Sequence, residues 1–470
     1  MKNCTLFVAT CFFTLLPLYI MAAGPQLTAA RFGVATGDLK NAVTSSAGDV
    51  NNDNYDDILI GAPFYDPVVD GKKQKNAGGI WVVSGSNGDV LFEATGTYSN
   101  DHFGAATTNL GDINSDGYPD YAVGAPGVDS SSKEAGAIRD AGMVEIYSGK
   151  LHSVIRRHYG ESQGDHLGST LDGGSYYVNA DAIPDYLVAA DSWDYVSGDL
   201  RIRNVGRVAV IDGANGNIIW EKLGDESGKS GFGKSVALVG DVNFDSHDDF
   251  VVGAPLFDNP SPHAKDAGAL YLYSGKDGVA LLSNHYGSKA RNHVGASVAD
   301  MGDIDSDGYS EIAYGVPGNG EGAMKNSGSV YVYSHHASMT WQYGNGLRKG
   351  DAFGSSIHSA GDVNVDGKPD LMIGAPFYDD GAKKDSGAIF IMAESGNLSN
   401  GSTRVLTGSF AGDKLGSIVN IGGDINNDAN SDLITTAPGM DIYDAGKLVT
   451  KNAGGVLGYR INSLSVFTTP

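Results

Sequence analysis

The string Asp-x-[Asp/Asn]-x-Asp-x-x-x-[Asp/Glu] returns seven times along the 470 residues, in register from Asp49, Asp112, Tyr177, Asp241, Asp303, Asp362 and Asp424. The intervals are 63, 65, 64, 62, 59 and 62 residues. So narrow a spread defines a structural unit of about sixty residues, and a chain made of such units is bound to a repeat architecture. Each unit has the same internal order. A Gly-Asp-x-aromatic-Gly start with small residues, as at Asp101, His102, Phe103, Gly104 and Ala105, leads into the acidic loop as strand A. After the loop a short apolar run ends in Gly-Ala-Pro (58–63, 251–255, 371–376), which is strand B with a proline stop. An alternating stretch such as Leu270, Tyr271, Leu272 and Tyr273 has the period of two of strand C. A weaker run such as Ile218, Ile219 and Trp220 is strand D.

Four antiparallel strands per unit with no helical periodicity between them predict an all-β fold, a seven-bladed β-propeller of four-stranded antiparallel blades. The expected blades are 38–98, 99–162, 163–227, 228–289, 290–348, 349–410 and 411–470. Segment 29–37 has the spacing of a strand D that belongs to no preceding blade, so it is expected to pair with the last blade and close the ring, with 464–470 a competitor for that place. Residues 1–23, with one Lys, an apolar run over 6–20 and then Ala22 and Ala23, read as a secretory signal peptide before a propeller over 24–470. Both cysteines, Cys4 and Cys11, fall inside this leader, so no disulfide is expected in the mature chain.

Calcium takes six to eight hard oxygen ligands, and loop positions 1, 3, 5, 7 and 9 can supply them, position 7 through its backbone carbonyl. Six copies fit: Asp49, Asn51, Asp53, Tyr55 and Asp57; Asp112, Asn114, Asp116, Tyr118 and Asp120; Asp241, Asn243, Asp245, His247 and Asp249; Asp303, Asp305, Asp307, Tyr309 and Glu311; Asp362, Asn364, Asp366, Lys368 and Asp370; Asp424, Asn426, Asp428, Asn430 and Asp432. Nineteen carboxylates crowd these loops and would repel one another without cations, so about six Ca2+ ions are expected. No flanking helices or position-12 glutamate make them EF-hands. The third copy, with Tyr177, Asn179, Asp181 and Asp185, has only two carboxylates and is expected to bind no metal.

The Phe-Gly pairs at Phe103, Phe232 and Phe353, together with Gly-Ala-Pro at Gly61, Gly124, Gly253 and Gly374, resemble the two signatures of the FG-GAP repeat, and the chain resembles the integrin alpha-subunit propeller. That resemblance implies structural calcium loops on one face and ligand or partner contacts on the other. Lys40-Asn41 stands where blade 1 should have Phe-Gly, and blades 3, 5 and 7 have Leu167, Val294 and Leu415 before the glycine. The absence of an inserted domain or leg region suggests a stand-alone secreted propeller.

Loops between strands B and C, on the face away from the metals, hold 13, 14, 13, 11, 9, 9 and 14 residues in blades 1 to 7, so the long ones are consecutive around the ring. Within this sector Trp193, Tyr195, Arg201 and Arg203 are the candidate ligand-face residues, aromatic and basic groups in a chain of net charge -24. That charge argues against nucleic acid and anionic membrane as partners, and no segment after the leader is apolar enough for a stable membrane span. Lys349-Gly350-Asp351 repeats the Gly-Asp of other units and is read as structural. Asn397 and Asn400 begin glycan acceptor triplets. The expected function is a secreted, cell-surface or periplasmic calcium-binding adhesion or recognition module for an extracellular protein or glycan. The alternative is an extracellular hydrolase or polysaccharide lyase on the same scaffold, against which the eleven histidines have no spacing suited to a catalytic metal.

Overall fold

The computed structural model describes residues 26–460 except 34–36, 133–135, 198–199, 226–227, 262, 321, 364–365, 393–402 and 445–446. The leader 1–23 with Cys4 and Cys11, the glycan triplets at Asn397 and Asn400, the metal-loop residue Asn364 and the segment 464–470 all lie outside the described residues. Seven four-stranded antiparallel sheets follow one another along the chain, each in the order A-B-C-D. In blade 1 these are Val43–Gly48, Asp57–Ala62, Gly79–Val83 and Val90–Thr95. The fold is therefore a seven-bladed β-propeller, and strand A of each blade neighbours strand A of the next around a closed ring.

Blade 7 takes its strand D from the other end of the chain. Gln26–Phe32 pairs antiparallel with Gly455–Arg460, so the sheet reads, from the rim inward, Gln26–Phe32, Gly455–Arg460, Asp432–Ala437, Val419–Gly423. The expected closing segment 29–37 is displaced relative to this strand, because the pairing ends at Phe32 and Gly33 donates its N–H to the Gly454 carbonyl.

Seven apolar clusters hold the ring together, each shared by two consecutive blades. One of them seals blade 7 to blade 1, packing Ile425, Ile434 and Val456 against Leu39, Ile58, Ile60 and Trp81. Burying a large aliphatic or aromatic side chain contributes about 1.5–3 kcal/mol, so the inter-blade seams are where most of the stabilisation resides.

The two short signatures have a common mechanical cause. A Cβ on Gly61, the Gly-Ala-Pro glycine of blade 1, would stand 2.3 Å from the carbonyl oxygen of Gly104, the Phe-Gly glycine of blade 2. The same contact joins Gly253 to Gly295 and Gly374 to Gly416. Glycine at both places lets neighbouring backbones touch, while the aromatic before the second glycine inserts beneath strand C of the preceding blade, as Phe103 does with its N–H on the Ala77 carbonyl.

In blade 1 this aromatic position is filled by Leu39, not by Lys40-Asn41. Leu39 is 3% exposed, donates its N–H to the Ala453 carbonyl and packs against Gly454, as Phe103 does against Gly78. One extra residue in the turn shifted the apparent register. The repeated Gly-Asp is a turn element: Asp351 accepts the Arg348 N–H as Asp101 accepts that of Tyr98 and Asp413 that of Phe410.

Candidate functional site

Antiparallel A-B-C-D order puts the A–B and C–D connections on one face and the B–C connections on the other. On the first face the acidic loops share one geometry. The position-1 carboxylate accepts two backbone amides of its own loop: Asp49 from Asp53 and Asn54, Asp112 from Asp116 and Gly117, Asp241 from Asp245 and Ser246. Asp303, Asp362 and Asp424 repeat the pattern at 2.7–3.0 Å. Position 5 accepts the position-7 amide, as in Asp53 with Tyr55, Asp116 with Tyr118, Asp245 with His247, Asp307 with Tyr309, Asp366 with Lys368 and Asp428 with Asn430. To curl this tightly the chain turns left-handed at position 6 of all six loops, at Asn54, Gly117, Ser246, Gly308, Gly367 and Ala429. Blade 3 has a left-handed Ala180 at position 4 but none at position 6, and Tyr177 leaves it without the position-1 carboxylate.

Position 9 is different in kind. Asp57, Asp120, Asp185, Asp249 and Glu311 are fully buried, and each takes the amide of loop position 2 or 3. The four aspartates also take a glycine amide just after strand C, from Gly85, Gly149, Gly213 and Gly275. These carboxylates staple the A–B loop to the C–D turn, in blade 3 as in its neighbours. Burial is the main reason that Asp57, Asp120, Asp249 and Glu311 are pushed up to about 7 and Asp185 to about 6, with like charges nearby adding to it. That double role, ligand position and backbone staple, was not visible in the residue pattern. Its only trace was the survival of an acid at position 9 in the broken third copy.

The donor set is all oxygen, the chemistry of a hard divalent cation. In blade 5, oxygens of Asp303, Asp305 and Glu311 lie within 4.8 Å of one another. Among the described residues the loop oxygens Asn243 Oδ1, Asn426 Oδ1 and Glu311 Oε1 are buried with no hydrogen-bond partner. Such groups are rarely left unsatisfied in a folded interior, so they fit a cation that would complete them. Around them Ser86 donates to Asp53, Ser148 to Asp116 and Ser274 to Asp245, while His336 Nδ1 stands 2.7 Å from Asp307. Asn51, Asn114 and Asp432 sit at their loop positions in the same curl, Asn114 donating its side-chain amide to Asp120 and Asn426 to Asp432.

On the opposite face the four long loops each form a two-stranded hairpin: Val68–Val69 with Lys72–Lys73, Ser130–Ser132 with Gly136–Ile138, Tyr195–Ser197 with Leu200–Ile202, and Ile442–Asp444 with Lys447–Thr450. They belong to blades 1, 2, 3 and 7. Within the blade 3 hairpin, Arg201 is held by the buried Asp194 at 2.7 Å, Trp193 packs on the seam between blades 2 and 3, and Tyr195 meets Trp193 edge-on at 6.3 Å. Three of the four candidate ligand-face residues thus have local partners. Arg203 is exposed.

Closer to the ring axis, this face holds a cavity of about 1040 Å³ between blades 6, 7, 1 and 2. Phe64 and Phe377, the residues after Pro63 and Pro376, line it, with Lys40 Nζ 5.3 Å above the first ring and Lys414 Nζ 5.4 Å above the second. In sequence Phe64 and Phe377 recur after Gly-Ala-Pro and read as packing positions of the repeat, which hides their place in the cavity lining.

A chain with seven such blades, Phe-Gly and Gly-Ala-Pro seams and acidic A–B loops is an integrin-alpha-like FG-GAP repeat protein. The FG-GAP repeat model matches residues 41–83, 103–139, 232–273, 295–333 and 353–392, in blades 1, 2, 4, 5 and 6. Among characterised proteins the chain is similar to integrin alpha-8 of Mus musculus, 29% identical over 279 residues that cover 54% of this chain and 24% of that protein. It is similar also to integrin alpha-5 of Xenopus laevis, 33% identical over 222 residues, 45% of this chain and 20% of the relative. Integrin alpha-V of Gallus gallus is 32% identical over 197 residues, 39% and 18% respectively. The aligned part is thus about a fifth to a quarter of each relative's length. The crystal structure of BBS1N in complex with ARL6DN shares the fold, with a TM-score of 0.53 over 94% of this chain and 98% of that one at 9% identity. Among the described residues no helix is long and apolar enough to cross a membrane.

Proposed function

We propose that the chain is a calcium-stabilised, non-enzymatic recognition module that works outside the cytoplasm, secreted, at the cell surface or in the periplasm, and binds an extracellular protein. The observation that carries this reading is the division of labour between the two faces. One is committed to six oxygen-rich loops, with Asp49, Asp112, Asp241, Asp303, Asp362 and Asp424 at their heads. The other presents hairpins and a cavity on a rigid ring, the usual placement of recognition surfaces. Extracellular adhesion by the integrin alpha relatives supports it, as does a calcium concentration outside cells high enough to load modest-affinity sites.

Calcium in these loops would supply charge neutralisation and nothing chemical. The chain's own residues curl each loop, staple it through position 9 and orient the oxygens. The test is binding against turnover: the calcium-loaded chain should retain a protein partner by crosslinking on native cell surfaces and leave a polysaccharide panel intact. Release of reducing ends or unsaturated sugar products would establish the hydrolase or lyase alternative instead.

A further inference from the structure

The cavity between blades 6, 7, 1 and 2 departs from the rest of the surface in its charge. The chain has 56 acidic residues against 32 Lys and Arg, yet among the described residues no Asp or Glu lines this cavity, whereas Lys40, Lys414 and His102 do. Asp38, next to the lining residue Gly37, and Asp413, next to Lys414, are 8% and 1% exposed, and Asp413 is turned to the Phe410 amide. Among the described residues neither lysine ammonium reaches a carboxylate within 4 Å; each rests on a phenyl ring instead. Burial holds His102 below its ordinary value, with His166 of blade 3 adding to the effect, so the two lysines carry the positive charge at neutral pH.

The hollow has a backbone cause. Blades 1 and 6 place Phe64 and Phe377 after their proline, but the matching residue of blade 7 is Gly439, where a Cβ would stand 1.8 Å from the Gly412 carbonyl oxygen. No side chain can fill the space between the two rings. Its floor is apolar, formed by Pro63, Pro376, Pro438, Val43 and Ile418. A phenyl face already covered by an ammonium repels a second cation, and the prolines and phenyl rings suit a large apolar side chain, with Asn41, Ser417, Thr436 and Asn452 as polar groups in the same lining.

We infer that this cavity binds an acidic peptide segment of a partner protein, seating a large apolar side chain between Phe64 and Phe377 and pairing an adjacent carboxylate with Lys40 and Lys414. The inference rests on the recognition reading of this face and adds to it the chemistry of the ligand. Electrostatic complementarity of this kind sets specificity and association rate and weakens with salt.

The test uses the full calcium-loaded chain. A random dodecapeptide library is panned against it, and the selected peptides are measured by fluorescence anisotropy on the parent and on the K40Q/K414Q variant, with melts checking that both fold. Expected are peptides rich in Asp or Glu beside Leu or Phe, weakened at least about tenfold in K40Q/K414Q and by amidation of their acids. Enrichment of basic or uncharged peptides, no enrichment at all, binding that ignores the two lysines, or tighter binding of polygalacturonate than of any peptide would each overturn it. Peptides that bind but ignore the lysines leave the recognition reading standing, whereas turnover of a polysaccharide removes that reading as well.

Discussion

Asp185 sits in the one loop without a position-1 acid, so it separates the staple from the ion. Its carboxylate accepts the Asn179 N–H at 3.0 Å and the Gly213 N–H at 3.1 Å, and it is fully buried. Asp185→Ala would strand both amides, at about 1–3 kcal/mol each. Burial already raises Asp185 to about 6, which disfavours the ionised acceptor and places the sum in the lower half of that range, about 2–4 kcal/mol. Unfolding entropy of about 2.1 cal/mol/K per residue over roughly 430 residues gives about 0.9 kcal/mol per degree, so the expected loss is about 2–4 °C. Scanning calorimetry should show the same loss with calcium and with chelator. Asp241→Ala, at position 1 of blade 4, should instead lower the melt in calcium and change little in chelator. A loss in Asp185→Ala that appears only with calcium, or no loss at all, would refute the staple argument.

Four further outcomes are expected. Glu311→Gln keeps the acceptor of the Ile304 amide but removes a charge from the Asp303, Asp305 and Glu311 group, so calorimetric titration should show one fewer calcium bound than in the parent. Gly253→Ala would force a Cβ to within 2.1 Å of the Gly295 carbonyl, and denaturant unfolding should show a loss of about 1–3 kcal/mol or more. Asp172, which accepts the Leu238 amide across the inner strands, is pushed up to about 7 chiefly by burial, with the Asp300 charge adding to it. Because the native state then binds the proton more tightly than the unfolded chain, its contribution is full below about pH 4 and declines as pH rises to about 7. Asp172→Asn abolishes this decline, so melts of variant and parent should converge at low pH and favour the variant at pH 8. Finally, the K40Q/K414Q variant should melt nearly as the parent does, since among the described residues neither ammonium pairs with a carboxylate and each only rests on a phenyl ring at the surface of the cavity.

Much of this architecture could be read from residues because the repeat is strict. The Phe-Gly and Gly-Ala-Pro signatures persist since Gly61 and Gly104, or Gly253 and Gly295, are backbone contacts that tolerate no side chain. The long loops were legible by counting, and they are the ones that form hairpins. What escaped the pattern arises where spacing and geometry part company. Leu39 occupies the aromatic seat of blade 1 because one inserted residue displaced the expected pair, and the closing strand ends at Phe32 for a similar reason of register. The acidic loop concealed its second purpose: a ligand position and a buried staple need the same residue type at position 9. Trp193 and Arg201 stood out by composition, but their partners, the blade 2–3 seam and Asp194, are set by tertiary packing. The cavity near Lys40 and Lys414 depends on Gly439, one glycine among 67, whose effect emerges only when three blades are side by side.

Calorimetric titration of the metal-stripped chain with calcium bears most directly on the whole account. Loops of this geometry should take up about six ions per chain, with a matching rise in melting temperature. A flat titration, together with superimposable melts in calcium and chelator, would contradict it.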